Sequence, residues 1–435
     1  MLEPEVFNRR RQDVMQLMGT GVAVVPTSPE AIRNGDVHYP FRPDSDFFYL
    51  TGFQEPEAVA VLCPEREQGE YILFCRERNP ERETWDGKRA GLEGAVSQYG
   101  ADDAFPIDDI DEILPGLLEN RSKVFCTVGS HKDFDIKLLN WVQEVKNKSR
   151  AGINAPNEIV DLGHILHELR LVKRTEEVNV MKRIAKISAT AHRRAMEVCK
   201  PGMMEYEIAA ELEYIFKKSG CDSWAYPPIV AGGTNACTLH YISNRDELRD
   251  GDLLLIDAGG ELDYYAADIT RTFPVNGKFS GEQKAVYEVV LAAQLAAIEQ
   301  AQAGKHWNEP HDAAVRSLVE GLIDLGFLEG DIDDNIEQGT FRRFYMHRTG
   351  HWLGMDVHDV GDYKVESDWR VLEPGMAMTV EPGLYIPGDE DIEPRFRRIG
   401  IRIEDDVLVQ RKGNMVLSDY APKTIEDIEA AMRGL

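Results

Sequence analysis

Short apolar runs alternate with turn residues through the first third of the chain, a pattern typical of β-strands. Helical spacing of apolar residues occurs between these runs, at 109–119 and 134–145. The pattern predicts an α/β domain with strands near 21–25, 58–62, 71–75 and 124–128.

Longer helical patterns begin after a basic joint at 171–174. The first, 175–199, contains no Gly or Pro, and the second, 206–219, ends at Gly220. Thr175 is a candidate N-cap for the first helix. We therefore expect a domain boundary near Arg170, with an N-terminal domain at 1–170 and a C-terminal domain at 171–435.

A faint duplication is visible in the second part. Lys200-Pro201-Gly202 precedes one helical pattern, Gln302-Ala303-Gly304 precedes another, and these patterns end at Gly220 and Gly326. Two similar halves facing each other across a cleft would give this repeat. The expected fold class is thus a two-domain α/β protein, with a mixed-sheet N-terminal domain and an α+β C-terminal domain of pseudo-twofold halves.

The composition and net charge of the chain disfavour some classes of binding partner and some cellular locations. The 435 residues include 76 acidic and 49 basic side chains, and the net charge of −27 disfavours nucleic acid and anionic membranes as partners. There is no apolar run of the roughly 18 residues that a membrane span needs, and no N-terminal signal pattern. The six cysteines are widely spaced, which indicates reduced residues of the core. We expect a cytoplasmic protein.

Two aspartates interrupt apolar runs in the C-terminal part. Asp257 closes Leu253-Leu254-Leu255-Ile256, and Asp268 lies between Ala267 and Ile269, in two strands expected to join around Gly259-Gly260. Burying such a carboxylate is unfavourable unless it is paired or binds a metal. Taken alone, each is better explained as a turn cap or as an exposed position of an alternating strand.

Histidines crowd the segment 345–359, where His347, His351 and His358 fall within twelve positions. His347 and His351 have i, i+4 spacing, but the neighbouring glycines argue against a helix, and the Glu of the zinc-protease motif is absent. Spacing alone therefore singles out His351 and His358 as functional. An ordinary packed or surface histidine remains the alternative for each.

Two glutamates complete the candidate set. Glu381 closes a β-like run before a turn, whereas Glu373 reads as a turn residue. The segment 399–407 alternates apolar and polar residues, which would put Arg402 and Glu404 on one strand face, a face that is commonly only solvated.

Taken together, four carboxylates and one imidazole suit a pair of hard or borderline divalent cations: Asp257, Asp268, His351, Glu381 and Glu404. Such cations lower the pKa of a shared water, which then attacks a polarised carbonyl. His240 and His358 are candidate donors to the developing oxyanion or to the substrate. Motifs of serine hydrolases, P-loop proteins and dinucleotide-binding proteins are absent.

These residues resemble, in type, order and spacing, the creatinase or "pita-bread" metallopeptidases, and within them the aminopeptidase P subfamily. The likeness covers nearly the whole chain, and includes 239–241, 351–361 and 399–407, together with 42–53 in the first domain. It implies a pita-bread catalytic domain and removal of an N-terminal residue ahead of proline.

The resemblance also implies roles for individual residues. Asp257 and Asp268 would hold one ion and His351 and Glu381 the other, with Asp268 and Glu404 bridging both, and Mn²⁺ as the usual metal. His240, His347 and His358 would line the substrate site, with Glu381 among the catalytic residues. Arg402 would support Glu404.

The remaining expectations concern substrate and assembly. An Xaa-Pro amide lacks the N–H of an ordinary peptide, so a pocket must grip the ring, with Tyr226, Trp352 or Trp85 as candidate walls. The resemblance implies a homodimer or homotetramer, in which the loop 84–89 either reaches a neighbour's cleft or is an ordinary exposed loop. Prolidase and a non-catalytic peptide-binding protein are the alternatives.

Overall fold

The computed structural model describes residues 2–434, which form two compact units. The first ends at Leu169 and the second begins at Arg170. Within this described range, no helix is both long enough and apolar enough to cross a membrane.

The first unit is built around a mixed six-stranded sheet in the order β6-β5-β4-β1-β7-β8. The strands of this unit are β1 (Val22–Pro26), β2 (Ile32–Asn34), β3 (Val37–His38), β4 (Val59–Leu62), β5 (Tyr71–Cys75), β6 (Asp103–Pro106), β7 (Lys123–Cys126) and β8 (Glu158–Asp161). Of these, β2 and β3 pair with each other outside the six-stranded sheet. Its helices are α1 (Pro4–Met18), α2 (Ser45–Thr51), α3 (Pro80–Asp86), α4 (Gly91–Ser97), α5 (Ile110–Leu118) and α6 (Lys132–Asn147). The four predicted strands and two predicted helices are all present, because each buries the apolar face that its sequence pattern marked.

Helices and short antiparallel strands make up the second unit, which begins within the last turn of α7 (Gly163–Leu171). The helices are α8 (Thr175–Val198), α9 (Glu205–Lys218), α10 (Gly281–Gln300), α11 (Glu309–Asp324), α12 (Ile332–Gln338) and α13 (Ile425–Met432). The strands are β9 (Ser223–Trp224), β10 (Ile229–Gly232), β11 (Leu253–Asp257), β12 (Gly260–Leu262), β13 (Tyr265–Ala266), β14 (Thr270–Pro274), β15 (Lys364–Val365), β16 (Asp368–Trp369), β17 (Ala377–Val380), β18 (Gly383–Tyr385), β19 (Gly400–Arg402), β20 (Asp405–Val409) and β21 (Asn414–Val416).

The expected repeat is present in this unit. One half packs α8 against α9 and carries the sheet β10-β11-β14, while the other packs α10 against α11 and carries the sheet β17-β20-β21. Thr175 is not the cap of α8 but its first residue. The N-cap is Arg174, and the side chain of Glu177 caps this N-terminus because its Oε2 accepts the backbone N–H of Arg174 at 3.0 Å.

The two strands expected to join around Gly259-Gly260 pair as β11 and β14, but the tight turn in their connection lies further along the chain. The chain reverses at Asp263 and Tyr264, whose φ angles of 50° and 62° are those of a tight hairpin turn, and β12 pairs there with β13. Gly259 serves a different purpose. A Cβ at that position would lie 1.6 Å from the carbonyl oxygen of Ala267, so only glycine allows the backbones to approach so closely.

The single strand expected over 399–407 is two strands. β19 pairs with β18, and β20 pairs with β17, so Ile403 and Glu404 fall between them. The strands that pair with β19 and β20 are separated at the same level, because Glu381 and Pro382 lie between β17 and β18. Proline has no N–H with which to continue the ladder. Glu381 and Glu404 therefore both lie between strands, where the side-chain direction does not have to follow the alternation of a sheet.

Candidate metal centre

Corresponding strands of the two halves deliver the four candidate carboxylates. Asp257 ends β11, and Asp268 lies two residues before β14, which pairs with β11. Glu381 follows β17 and Glu404 precedes β20, and these strands also pair with each other. Each half thus contributes two carboxylates from one strand pair.

His351 brings an imidazole to the same place. Its Nδ1 lies 2.9 Å from the backbone oxygen of Trp352, which assigns the proton to Nδ1 and leaves Nε2 facing the carboxylates. Nε2 is 3.4 Å from Oδ2 of Asp268 and 3.7 Å from Oε1 of Glu381. One ligand atom each from Asp268, His351 and Glu404 lies within 4.8 Å of the others.

Arg402 and Tyr226 fix the position of Asp257. Arg402 Nη2 donates to Oδ2 of Asp257 at 2.6 Å, and the hydroxyl of Tyr226 donates to Oδ1 at 2.5 Å. Tyr226 also contacts Oδ1 of Asp268. The resemblance implied that Arg402 supports Glu404, but its direct partner is Asp257, and it reaches Glu404 only through the hydroxyl of Thr270.

Burial shapes the electrostatics of this cluster. It raises the pKa of Asp257, and it raises that of Glu381 to about 7. Burial, followed by repulsion from Asp268 and Glu381, raises the pKa of Glu404 well above its usual range. Burial also opposes ionisation of Asp268, but its hydrogen bond with His351 outweighs this effect and lowers its pKa. Three of the four carboxylates therefore resist ionisation in the metal-free protein, and a bound cation would favour their ionised forms.

This donor set fits divalent cations. Four buried or half-buried carboxylates converge with one imidazole, and Arg402 is an arginine paired directly with one of them, Asp257. Oxygen ligands with one nitrogen suit hard or borderline metals. Sulfur is absent from the set, since each of the six cysteines is free and lies in other segments.

The other histidines predicted for the site surround this cluster. His347 Nε2 lies 2.9 Å from the hydroxyl of Tyr385, and its Nδ1 lies 3.9 Å from Oε2 of Glu381. The ring of His358 packs 4.3 Å from that of His351. Burial lowers the pKa of His347 to about 4 and also lowers that of His358, and nearby His240 contributes to both shifts. As expected from the glycines, residues 347–351 form no helix.

Trp352 does not line the site. It is fully buried and packs against Trp307 and Tyr363, because the alternation of the chain that turns His351 toward the carboxylates turns Trp352 into the core. Sequence reasoning missed Thr270, the partner of Glu404, and Asp406, whose carboxylate accepts the backbone N–H of Asp268 at 3.1 Å. Each lies two positions after a candidate ligand, Thr270 after Asp268 and Asp406 after Glu404, and this proximity is the signal that could have found them.

Comparison with known proteins identifies the family. Residues 179–411 match the model of metallopeptidase family M24, and residues 7–125 match the aminopeptidase P N-terminal domain. The chain belongs to metallopeptidase family M24. With both matches and the two similar halves in place, this M24 chain has the two-domain pita-bread fold, as predicted.

Relatives of this M24 chain match it over most of their own length. Xaa-Pro aminopeptidase of Escherichia coli K12 is 43% identical over 98% of this chain and 97% of its own. Xaa-Pro aminopeptidase 3 of Homo sapiens is 35% identical over 93% of this chain and 80% of its own. Among solved structures, Pseudomonas aeruginosa aminopeptidase PepP is 56% identical with a TM-score of 0.99, covering 100% and 98% of the two chains. Escherichia coli aminopeptidase P with the inhibitor Pro-Leu is 42% identical with a TM-score of 0.96, covering 100% and 99%.

Proposed function

We propose that this chain is a metal-dependent exopeptidase that releases the N-terminal residue from peptides with proline in the second position. The observation that carries the proposal is the convergence of Asp268, His351 and Glu404 within 4.8 Å, with Asp257 and Glu381 beside them. Relatives named Xaa-Pro aminopeptidase over nearly the full length support the proline preference. The residues proposed to act all lie within 171–435, which we propose is the catalytic domain, with 1–170 as a separate N-terminal domain.

The proposed cofactor is a pair of divalent cations, with Mn²⁺ as the native metal. Asp257 and Asp268 would hold one ion, His351 and Glu381 the other, and Asp268 and Glu404 both. When bound, such ions polarise a carbonyl and acidify water. Four carboxylates would balance the charge of two dications, which supports the number.

Several side chains hold these ligands in place. His351 presents Nε2 because its Nδ1 is engaged by the oxygen of Trp352. Arg402 carries one charge toward Asp257 and donates from Nη1 to the hydroxyl of Tyr385 at 3.0 Å. Outer partners of this kind set the orientation of metal ligands and tune their basicity.

Five residues are proposed to take part in catalysis: His240, His347, His358 and Glu381 at the substrate, and Arg402 through the ligands that it supports. His347 is neutral near pH 7, since burial lowers its pKa to about 4. His240 and His358 are exposed, so their ring nitrogens are available to donate to a substrate carbonyl or to the oxyanion that develops from it. Glu381, facing both His351 and His347, is the proposed proton acceptor.

Assembly and compartment are proposed more indirectly. Trp85 is 86% exposed at the end of α3, and an exposed tryptophan of this kind is typical of an interface residue. We propose a homodimer or homotetramer in which this residue contacts a neighbouring copy. The six free cysteines support the cytoplasm as the compartment.

Peptide cleavage tests the proposal. The purified protein with Mn²⁺ should release the first residue from Xaa-Pro-Yaa tripeptides and longer peptides, whereas matched Xaa-Ala-Yaa peptides should remain intact. Cleavage confined to Xaa-Pro dipeptides would favour prolidase instead. No cleavage of any of these peptides by the metal-loaded protein would favour a non-catalytic binding function.

A further inference from the structure

A fully buried glutamate lies outside the metal centre, at the start of α9. Glu205 is the first residue of that helix and has no exposed surface. A carboxylate at a helix N-terminus is favoured by the helix dipole, but in the interior it also needs hydrogen-bond donors for both oxygens. Its surroundings supply them.

Four donors converge on Glu205 from one segment, residues 232–246. Oε1 accepts the backbone N–H of Gly232 at 2.8 Å and the side-chain amide of Asn235 at 2.9 Å. Oε2 accepts the hydroxyl of Tyr241 at 2.8 Å and the backbone N–H of Asp246 at 2.9 Å. A single carboxylate therefore fixes this segment at both ends and at two points between.

His240 lies on this same segment, between the anchors Asn235 and Tyr241. It is exposed, and among the residues that the structure describes its imidazole has no hydrogen-bond partner. Its position thus depends on the backbone that carries it. Tyr241, the next residue, has its ring against the apolar cluster of β10 and β11 and its hydroxyl on Glu205, so the backbone beside His240 is held on two sides.

The balance of interactions makes this arrangement rigid. Moving the segment would leave a buried carboxylate without its donors, and an unpaired buried charge is far less stable than an unpaired neutral group. Networks of this kind are strong only while every member is satisfied. Glu205 is therefore suited to hold a substrate-facing residue in one place without touching substrate.

We propose that Glu205 is a positioning residue for His240, holding the segment 232–246 in the geometry that cleavage requires. This inference rests on the proposed function. It adds a residue far from the metal ligands in sequence, and it assigns the buried carboxylate a role in turnover rather than in metal binding.

Glu205→Gln tests the proposal with almost unchanged volume. The new amide would direct an N–H group at donors that need an acceptor. We expect kcat/KM for an Xaa-Pro-Yaa peptide to fall by about 10- to 100-fold, the effect of a small misplacement of a catalytic group. Bound Mn²⁺ per chain should not change. Glu211→Gln, on the same helix and paired with Arg194 at the surface, is the matched control and should leave kcat/KM unchanged.

A double-mutant comparison separates positioning from general stability. If Glu205 acts through His240, Glu205→Gln should lower kcat/KM strongly in the wild-type background and little further in His240→Ala. Multiplicative losses in the double variant would overturn the proposal. So would a Glu205→Gln variant as active as wild type while His240→Ala is impaired.

Amide hydrogen exchange provides a readout that does not depend on activity. In Glu205→Gln, amides of 232–246 should exchange faster, while those of β11 and β14 should be unchanged. Unchanged exchange at Gly232 and Asp246 would overturn the positioning role. A wild-type protein that cleaves no Xaa-Pro peptide would instead overturn the proposed function, whatever the exchange data show.

Discussion

Glu404 and Asp405 are adjacent, buried carboxylates whose surroundings differ completely. Asp405 pairs with Arg271 and Lys423, each at 2.7 Å, and accepts further hydrogen bonds from Gln294 and Ser418. The carboxylate of Glu404 accepts one hydrogen bond within residues 2–434, from Thr270 at 2.6 Å. One carboxylate is neutralised by the protein's own cations, and the other is not.

The difference separates a structural ion cluster from a binding site. Burial opposes ionisation of Asp405, but Arg271 and Lys423 outweigh it and lower its pKa, whereas burial and neighbouring carboxylates raise the pKa of Glu404. Arg271 also holds the backbone oxygen of Glu404 at 2.5 Å, so the ion cluster fixes the chain next to the metal centre. Buried carboxylates without protein cations are the ones left to bind an external cation.

The substitution Glu404→Ala removes a proposed metal ligand and should have the largest effect on activity. Losing a ligand proposed to serve both ions should lower kcat by about 10³-fold or more, since a bound cation contributes several kcal/mol to catalysis. The metal-free variant should be at least as stable to urea as metal-free wild type, because a cation-poor buried carboxylate is removed. Asp419→Ala, at an exposed position of the following segment, is the activity control.

The substitution Asp405→Asn disrupts the ion cluster with Arg271 and Lys423 and should mainly lower the stability of the protein. Arg271 would remain fully buried with its counter-charge removed, so the free energy of unfolding should fall by about 3–5 kcal/mol in urea titrations. Lys423→Gln should be milder, since that side chain is 20% exposed. An Asp405→Asn protein as stable as wild type would contradict the assignment of this cluster as framework.

Stability as a function of pH should separate the two regions with a smaller effect. Burial raises the pKa of Glu381 from 4.5 to about 7, so between these values the folded, metal-free protein holds a proton that the unfolded chain has lost. This group should therefore lower stability as pH rises from about 5 to 7, by at most about 3 kcal/mol. Asp405 has a lowered pKa, so its contribution should be present above about pH 4 and lost below it. Thermal unfolding of the metal-free protein across this pH range measures both contributions. Glu381→Gln should reduce the dependence of stability on pH between about 5 and 7 and leave the dependence below about pH 4 unchanged.

The sequence was sufficient for much of this arrangement. Regular apolar spacing located the strands around the first-unit core and the helices α8 and α9, because those elements bury continuous faces. Order and residue type singled out the five candidate ligands. Their approach in space depends on the pairing of β11 with β14 and of β17 with β20, which periodicity alone does not fix.

What the sequence did not predict involves partners distant along the chain. Tyr226 reaches Asp257 and Asp268 across 31 and 42 positions, and Arg271 reaches Asp405 across 134. The break at Glu404 could not be anticipated from its own segment, because the cause is Pro382 on the neighbouring strand. Residue type makes Trp352 a candidate pocket wall, whereas its position next to His351 in the chain directs its side chain into the core.

Titration of the metal-free protein with Mn²⁺, with bound ions counted by equilibrium dialysis, measures whether the five candidate ligands hold a pair of ions. We expect two ions per chain for wild type, loss of paired binding in Glu404→Ala and in Asp257→Ala, and unchanged stoichiometry in the folded fraction of Asp405→Asn. Two ions per chain retained in both alanine variants would contradict the assignment of the metal centre.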